Sequence, residues 1–470
     1  MDVLLGIDFG TTKLAFTCIE PNKRRVVKHH SIPIGADLHL ENPSLKEQDI
    51  TRITEVFYRG LRDFLKEREY SLLSIGLTGQ MHGILGVGRD GKAVTNLVTW
   101  QDQRGYLRKN NGNTLIEEMH QRAGLRPVAS GYGIVTLYDW VRVGRQSDIE
   151  WICTIPDYFA MLLTGRNAPV MDYTMADSTG AFDNSNRAWD FAYLEALGID
   201  RRFFPEAVHS TTVIGVLNDP SIRRIQSNER VPVAVAIGDN QASYLGSVRE
   251  HFDSLLVNIG TGSQISFTVK DPRDSEVKGL IDGYDVVLRP FVSGNWLVAG
   301  NAISGGVVYR ALYDFFKKTG ADLFGITSFE KLWERMGELA MEVKDCRGLD
   351  VYPLFEGKRS DPDARGSIKG ISIKNLIPGC LILGTLKGMV KILIDMIKPG
   401  IIEKRKYLIG SGNGIRKNPV LREVTSELFE RQILVPAHEE EAAVGAAING
   451  GVASGVFKDF DEAKGVIQYL

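Results

Sequence analysis

The sequence predicts an α/β protein made of two related halves. Three observations carry the prediction. Apolar strand patterns alternate with amphipathic helix patterns along the chain, one strand–turn–strand stretch recurs later at a constant offset, and four strand ends run into turns rich in Gly or Asp.

The first element is an apolar strand, Val3-Leu4-Leu5-Gly6-Ile7-Asp8-Phe9, closed by Gly10-Thr11-Thr12 and continued by Leu14-Ala15-Phe16. Apolar flanks around a Gly-Thr bend predict a β-hairpin. Asp8 inside a buried strand leaves two readings open. It is a turn-adjacent polar residue, or it belongs to a phosphate cradle. In a cradle Gly lets the backbone come close, N–H and hydroxyl groups face anionic oxygens, and a carboxylate holds a hydrated metal ion.

Further along, residues 51–68 carry apolar positions at helical spacing, and "LLSIGLTGQ" (72–80) reads as a buried strand ending in Gly. "DYFAMLLTGR" (157–166) is helical and capped by Gly165. "VPVAVAIGDNQAS" (231–243) reads as an apolar strand running into a Gly-Asp turn. "SLLVNIGTGSQISFT" (254–268) repeats the opening grammar at an offset of 250, so Gly10 falls on Gly260, Thr11 on Thr261 and Asp8 on Asn258. The alternation continues through "KYLIGSGNG" (406–414), a helix, "QILVPA" (432–437) and "EEAAVGAAINGG" (440–451). No low-complexity linker interrupts the chain, so the expected boundary near residue 246, between domains 1–246 and 247–470, is a hinge between packed lobes.

Composition narrows the function. A chain of 470 residues, 43% hydrophobic and 24% charged, has room for two full cores. Fifty-six basic against 58 acidic residues leave a net charge of −2, without the basic footprint of a nucleic-acid or anionic-membrane partner. The N-terminus reads without a signal peptide, and no apolar run reaches membrane-spanning length, which predicts a cytoplasmic protein. Cys18, Cys153, Cys346 and Cys380 lie far apart and are expected as buried, reduced thiols.

The four strand-end turns are Asp8 to Lys13, Asp239-Asn240, Gly260 to Gly262 and Gly410 to Gly414. In open α/β sheets ligands gather at the carboxyl ends of strands, so these turns predict one cleft between two lobes. Three other stretches do not carry chemistry. "GVGRDGKA" (86–93) has Ala93 where a Walker loop needs Ser or Thr, and reads as a hairpin turn at Arg89-Asp90-Gly91. "GSGNG" lacks the dinucleotide spacing, and "HEEEAAVGAA" lacks that of a zinc helix.

Together these motifs resemble those of the FGGY carbohydrate kinases, over nearly the whole chain. "GIDFGTTK" is similar to the family's first phosphate motif and "NIGTGSQ" to its second. "IGDNQA" resembles the segment of the catalytic aspartate, "GSGNG" the adenosine segment, and "GQMHG" (79–83) the sugar loop of xylulokinase-like members. "LVTWQDQR", "GYGIVT" and "GSGNGIRKNPVLREV" look most like sedoheptulokinases. The resemblance implies the two-lobed ATPase fold shared with actin, hexokinase and Hsp70 (ribonuclease H-like), a duplicated domain and an interlobe cleft. It also implies phosphoryl transfer from ATP, with Mg2+, to a ketose hydroxyl.

Residue by residue, the resemblance makes Asp239 the general base. It assigns the nucleotide phosphates to Asp8, Gly10, Thr11, Thr12, Gly260, Thr261 and Gly262, with Mg2+ held through water by Asp8 and Asp239. Lys13 either neutralises phosphate or reaches solvent. Gln80, Met81, His82, Asp102, Asp239 and Asn240 are expected to bind the sugar, while Arg104 stays open between the sugar and an ion pair with Asp102. Gly410, Ser411 and Gly412, with Gly306, are expected at the adenosine; many relatives carry three consecutive glycines where this chain has Ser411. A small-molecule ketose is the expected partner, with neither nucleic acid nor membrane, and the chain is a monomer or homodimer. The competing substrate is D-xylulose. An ATP-switched chaperone or filament protein on the same fold is the reading from another class, and a sugar-type loop argues against it.

Overall fold

The computed structural model describes residues 1–470 except 67–69, 110–111, 225–227, 229, 274–276, 278, 280–284, 344, 356, 358–360 and 362. The chain forms two compact units. The first comprises Met1–Gly246, Pro290–Gly294 and His438–Ile467; the second comprises Ser247–Arg289, Asn295–Ala437 and Gln468–Leu470. A single cut at 246 does not describe this division, because the segment His438–Ile467 returns to the first unit.

In the first unit, β1 (Asp2–Phe9) pairs antiparallel with β2 (Lys13–Glu20), which pairs antiparallel with β3 (Arg25–Pro33). On its other side β1 runs parallel to β4 (Ser71–Gly79). The sheet ends with β5 (Val213–Val216) and β6 (Pro232–Ala234), in the order β5-β6-β4-β1-β2-β3, and the short β7 (Ile237–Gly238) adds to the end of β4. The strand expected over 231–238 is thus broken in two. Val235 turns its N–H to Thr212 O, and Thr78 donates its hydroxyl to Ile237 O, so these groups leave the ladder for other partners.

Helix Ile50–Lys66 covers the region predicted as 51–68, of which 67–68 lie outside the described residues. It buries Ile53, Val56, Phe57, Leu61 and Phe64 in the core beside β1 and β2. Phe9 sits 5.3 Å from the Phe57 ring and 4.6 Å from Phe159 of helix Ile155–Thr164. Each such buried ring contributes about 1.5–3 kcal/mol. Gly165 closes that helix in the left-handed conformation, as its position predicted.

Across the same sheet lies helix Glu441–Ala453, and its small residues explain why the C-terminal segment belongs here. A Cβ on Gly6 would fall 1.8 Å from Ala443 O, and one on Gly76 1.8 Å from Ala446 O. The helix backbone rests on the strands, which only glycine allows. A second core in this unit gathers around Met81, Ile84, Ile134 and Met175.

In the second unit, β8 (Ser254–Ile259) pairs antiparallel with β9 (Ser263–Val269). The sheet also holds β10 (Val286–Pro290), β11 (Trp296–Ala302), β12 (Tyr407–Ser411) and β13 (Ile433–Leu434), in the order β10-β11-β9-β8-β12-β13. Its β11-β9-β8-β12-β13 run has the strand directions of β3-β2-β1-β4-β6, which is the duplication read from the sequence. The constant offset of 250 does not survive the turn. Gly10–Lys13 separate the pair Phe9 and Leu14, whereas only Gly260–Gly262 separate Ile259 and Ser263. Helices Gly306–Phe324 and Pro378–Asp395 pack into this unit's core.

All four cysteines are buried and free. The Arg89-Asp90-Gly91 stretch is a hairpin turn, with Gly91 N–H donating to Gly88 O and Gly88 N–H to Lys92 O. No helix among the described residues is long and apolar enough to cross a membrane.

Candidate active site

In the first unit, the carboxyl end of β1 presents Asp8 beside the bend Gly10-Thr11-Thr12, in which Gly10 and Thr11 are partly buried and Thr12 is exposed. Asp8 Oδ1 is buried with no hydrogen-bond partner among the described residues. Burial, then the charges of Asp239 and Glu440, push its carboxyl up to about 7, against the opposing pull of Lys13. Asp239, Glu440 and Lys13 therefore all lie near enough to Asp8 to act on its charge.

Asp239 opens helix Asp239–Ser247 immediately after β7. What precedes it is fixed by a relay that sequence reasoning missed. The buried Asp172 carboxylate accepts from the Thr174 hydroxyl at 2.5 Å, and the Thr174 hydroxyl accepts from Gly238 N–H at 2.7 Å. Asp172 also accepts from the Thr174 and Met175 backbone N–H groups and from Ser210 Oγ. Burial pushes its carboxyl up to about 6 against these bonds. The cap pattern Asp-Tyr-Thr was the one available signal, and it announces a helix start rather than a site.

The loop 79–83 reaches the same strand end. A Cβ on Gly238 would lie 2.8 Å from Met81 Sδ, so Met81 packs directly against the residue before Asp239. His82 takes φ 73° and stacks on Tyr132 with ring centroids 4.4 Å apart. Its Nδ1 lies 2.7 Å from Ser178 O; a carbonyl only accepts, so Nδ1 carries the proton. Gln80 is buried with no partner for Oε1 among the described residues, and Asn240 sits partly exposed in the first helical turn after Asp239.

Two residues depart from expectation. Asp102 is fully buried, and its oxygens accept from Lys46 N–H (2.8 Å), Arg104 N–H (2.9 Å), Arg104 Nε (2.8 Å) and Arg104 Nη2 (3.2 Å). A carboxylate has about four acceptor sites, so none is left for a sugar hydroxyl. Asp102 holds the loop, and Arg104 is its ion-pair partner together with Glu47. Lys13 neither stands free nor merely reaches solvent: its Nζ lies 2.6 Å and 2.7 Å from the two carboxylate oxygens of Glu440. Glu440 was read only as part of a small-residue segment. Nothing local to it signals that the C-terminal helix brings it to β2. Trp100 is a further surprise, 40% exposed with Nε1 donating to Thr11 Oγ1 at 2.9 Å.

In the second unit, the turn Gly260–Gly262 is met by the start of helix Gly306–Phe324. Gly306 N–H donates to Gly260 O at 2.8 Å and Val307 N–H to Thr261 O at 3.1 Å. Gly412, at φ 84°, and Gly414 press on Ile259 O, where a Cβ would fall 2.6 Å and 2.7 Å away. Gly260, Thr261, Gly262, Gly306, Gly410, Ser411 and Gly412 are thus gathered at one place in this unit. Ser411 Oγ is buried there without a partner among the described residues.

Duplicated sheets, each ending in a Gly-Thr hairpin turn, and an acid-bearing strand end beside a polar loop define a phosphotransferase-type architecture. The models of the FGGY family of carbohydrate kinases match the chain, the N-terminal domain over residues 3–246 and the C-terminal domain over 255–454, so the chain belongs to this family and is a carbohydrate kinase. It is 25% identical to a sedoheptulokinase of Homo sapiens over 95% of this chain and 96% of that protein. It is also 25% identical to a gluconokinase of Bacillus subtilis (strain 168), over 99% and 90%. A solved ligand-bound xylulose kinase from Lactobacillus acidophilus shares the fold with TM-score 0.82 and 20% identity, covering 100% of this chain and 93% of that one.

Proposed function

We propose that this kinase transfers the γ-phosphoryl group of ATP to the terminal hydroxyl of a ketose, with sedoheptulose yielding sedoheptulose 7-phosphate as the first reading. The observation that carries it is the packing of Met81 against Gly238, which sets the loop 79–83 beside Asp239 at the strand end where β4 pairs with both Asp8 of β1 and Ile237-Gly238 of β7.

Asp239 takes the proton of the terminal hydroxyl as that oxygen bonds to the γ-phosphorus. The bond from phosphorus to the β–γ bridging oxygen breaks, and ADP leaves with the electron pair. Such a positioned base contributes about 10²–10⁴-fold. Met81, His82, Gln80 and Asn240 orient the sugar. Gly10, Thr11 and Thr12 hold phosphate oxygens in the first unit; Gly260, Thr261 and Gly262, with Gly306, Gly410, Ser411 and Gly412 toward the adenosine, do so in the second. Asp8 Oδ1, buried without a hydrogen-bond partner among the described residues, and the nearby charges of Asp239 and Glu440 fit a bound cation. Among the described residues no group of three or more His, Cys, Asp or Glu could hold a metal by itself. Mg2+ suits that donor set, since it keeps several waters and takes one or two carboxylates plus phosphate oxygens, and when bound it neutralises charge developing on the phosphates.

The full-length match to a sedoheptulokinase and the stretches "WQDQR" and "GYGIVT" support the seven-carbon sugar. The loop "GQMHG" supports D-xylulose as the second reading. A soluble cytoplasmic setting suits either substrate. Coupled ADP release over sedoheptulose, D-xylulose, gluconate and glycerol, compared by kcat/KM, decides between them. Asp239→Asn should lower kcat at least 100-fold for the preferred sugar while leaving nucleotide binding measurable. Turnover of ATP that no polyol changes would overturn the reading in favour of an ATP-switched protein.

A further inference from the structure

A buried chain of amides joins the sugar loop to the first phosphate bend, through a residue not assigned above. Gln80 follows β4 directly, and its backbone N–H donates to Phe9 O at 2.9 Å. Its side-chain Nε2 donates to Gln48 Oε1 at 3.1 Å. Gln48 Nε2 donates in turn to Thr11 O at 2.8 Å and to Asp37 Oδ1 at 2.9 Å. Gln48 is 1% exposed and Gln80 3%.

The direction of this chain is not arbitrary. Thr11 O and the Asp37 carboxylate only accept, so the nitrogen of Gln48 must face them and its oxygen must face Gln80. Both protons of that NH2 group are then committed. A flipped Gln48 amide loses three hydrogen bonds at once, so it has one orientation. Gln80 Oε1 is buried too, with no hydrogen-bond partner among the described residues.

The other end acts on the bend. In a planar trans peptide the C=O and the following N–H point in opposite directions. Gln48 draws the Thr11 carbonyl inward, and the same peptide plane therefore aims the N–H of the exposed Thr12 outward. Trp100 Nε1 fixes the Thr11 side chain from the other side.

We propose that Gln48 is a positioning residue that couples occupation of the sugar site to the shape of the first phosphate bend. A polyol held on the loop 79–83 fixes Gln80 at the start of that loop, Gln80 holds Gln48, and Gln48 holds the Thr11–Thr12 peptide with its N–H toward the phosphate. Sugar then tightens nucleotide binding, and by linkage nucleotide tightens sugar binding by the same factor. The proposal rests on the sugar-kinase reading above.

The test measures binding of Mg2+–AMP-PNP to the full chain by calorimetry, with and without the polyol that the wild-type protein phosphorylates fastest. Wild type should bind the nucleotide at least about 5-fold tighter with sugar present, the lower end of usual coupling. Gln48→Met, which keeps the volume but none of the bonds, should abolish that ratio. Its KM for ATP at saturating sugar should rise by a similar factor, while its affinity for sugar without nucleotide, measured by the same calorimetry, should change by less than about 2-fold. Gln48→Glu keeps the bond from Gln80 but sets a carboxylate against Thr11 O and Asp37, so it should also lose the ratio. Should neither variant fold, the wild-type ratio still decides: equal nucleotide affinity with and without sugar overturns the coupling. If no polyol in the panel is turned over, the sugar-kinase reading fails first and takes this inference with it. If one is turned over and the ratio is 1, or survives Gln48→Met, only the coupling fails.

Discussion

Lys13 Nζ lies 2.6 Å from Glu440 Oε1, a contact made across 427 positions of sequence. The lysine follows the first phosphate bend, and the glutamate begins the helix that rests on the same sheet. Glu440 adopts φ 58°, ψ 53°, a conformation that a non-glycine residue enters at a cost of about 1–2 kcal/mol. The ion pair offsets part of that cost, yet Lys13 is 45% exposed and solvent screens the charges.

Two substitutions separate strain from charge at this position. Glu440→Ala keeps the strained backbone and loses the pair, while Glu440→Gly loses the pair and relaxes the backbone. Urea unfolding should place Glu440→Ala about 1 kcal/mol below Glu440→Gly. Equal stability of the two variants would mean that the left-handed backbone costs nothing here.

Thr174 should matter to catalysis without touching substrate. Thr174→Val removes the hydroxyl between Asp172 and Gly238 N–H and leaves both buried groups short of a partner, at a cost of about 1–3 kcal/mol. Gly238 carries Asp239, so kcat should fall about 10-fold or more while the KM for ATP stays within about 2-fold. Thr174→Ser, which restores the hydroxyl, should recover most of the rate. Steady-state kinetics on the three proteins checks this; a Ser variant as slow as the Val variant would contradict the relay.

Asp8 makes the ligand-free protein sensitive to pH. The folded state holds the Asp8 proton at about 7 against 3.8 ordinarily, so folding favours the protonated acid. Stability from this group is therefore fully present only below the unfolded value of 3.8, falls as pH rises from there through about 7, and is lost above it. The whole difference corresponds to about 4 kcal/mol, and partial solvent access reduces it to about 1–3 kcal/mol. Asp8→Asn lacks this titration. Urea unfolding should show the variant gaining on wild type by about 1–3 kcal/mol between pH 5 and pH 8, and a pH-independent difference would contradict the burial argument.

Gly76 tests the packing that recruits the C-terminal helix. A methyl group there meets the Ala446 carbonyl 1.8 Å away, and backbone cannot yield as a side chain does. Gly76→Ala should destabilise the protein by about 3 kcal/mol or more, the upper end of overpacking costs. Gly35→Ala offers a comparison, since nothing lies within 4 Å of its Cβ; its φ of 59° should make it lose only about 1 kcal/mol. Thermal unfolding followed by circular dichroism distinguishes the two.

The amino-acid sequence by itself determined the α/β class, the doubled hairpin, the turn residues and the acids at Asp8 and Asp239. These rest on local rules: continuous apolar runs of strand length, Gly at bends, and charge placed where a strand ends. Tertiary structure alone decided that Asp102 is consumed by Arg104, that Lys13 belongs to Glu440, that Asp172 acts through Thr174 on Gly238, and that Gln48 joins Gln80 to Thr11. Each of those facts is a hydrogen bond between elements brought together by the packed core. A carboxylate or amide has no partner written beside it in the chain; its partner is whichever group the fold leaves within about 3 Å.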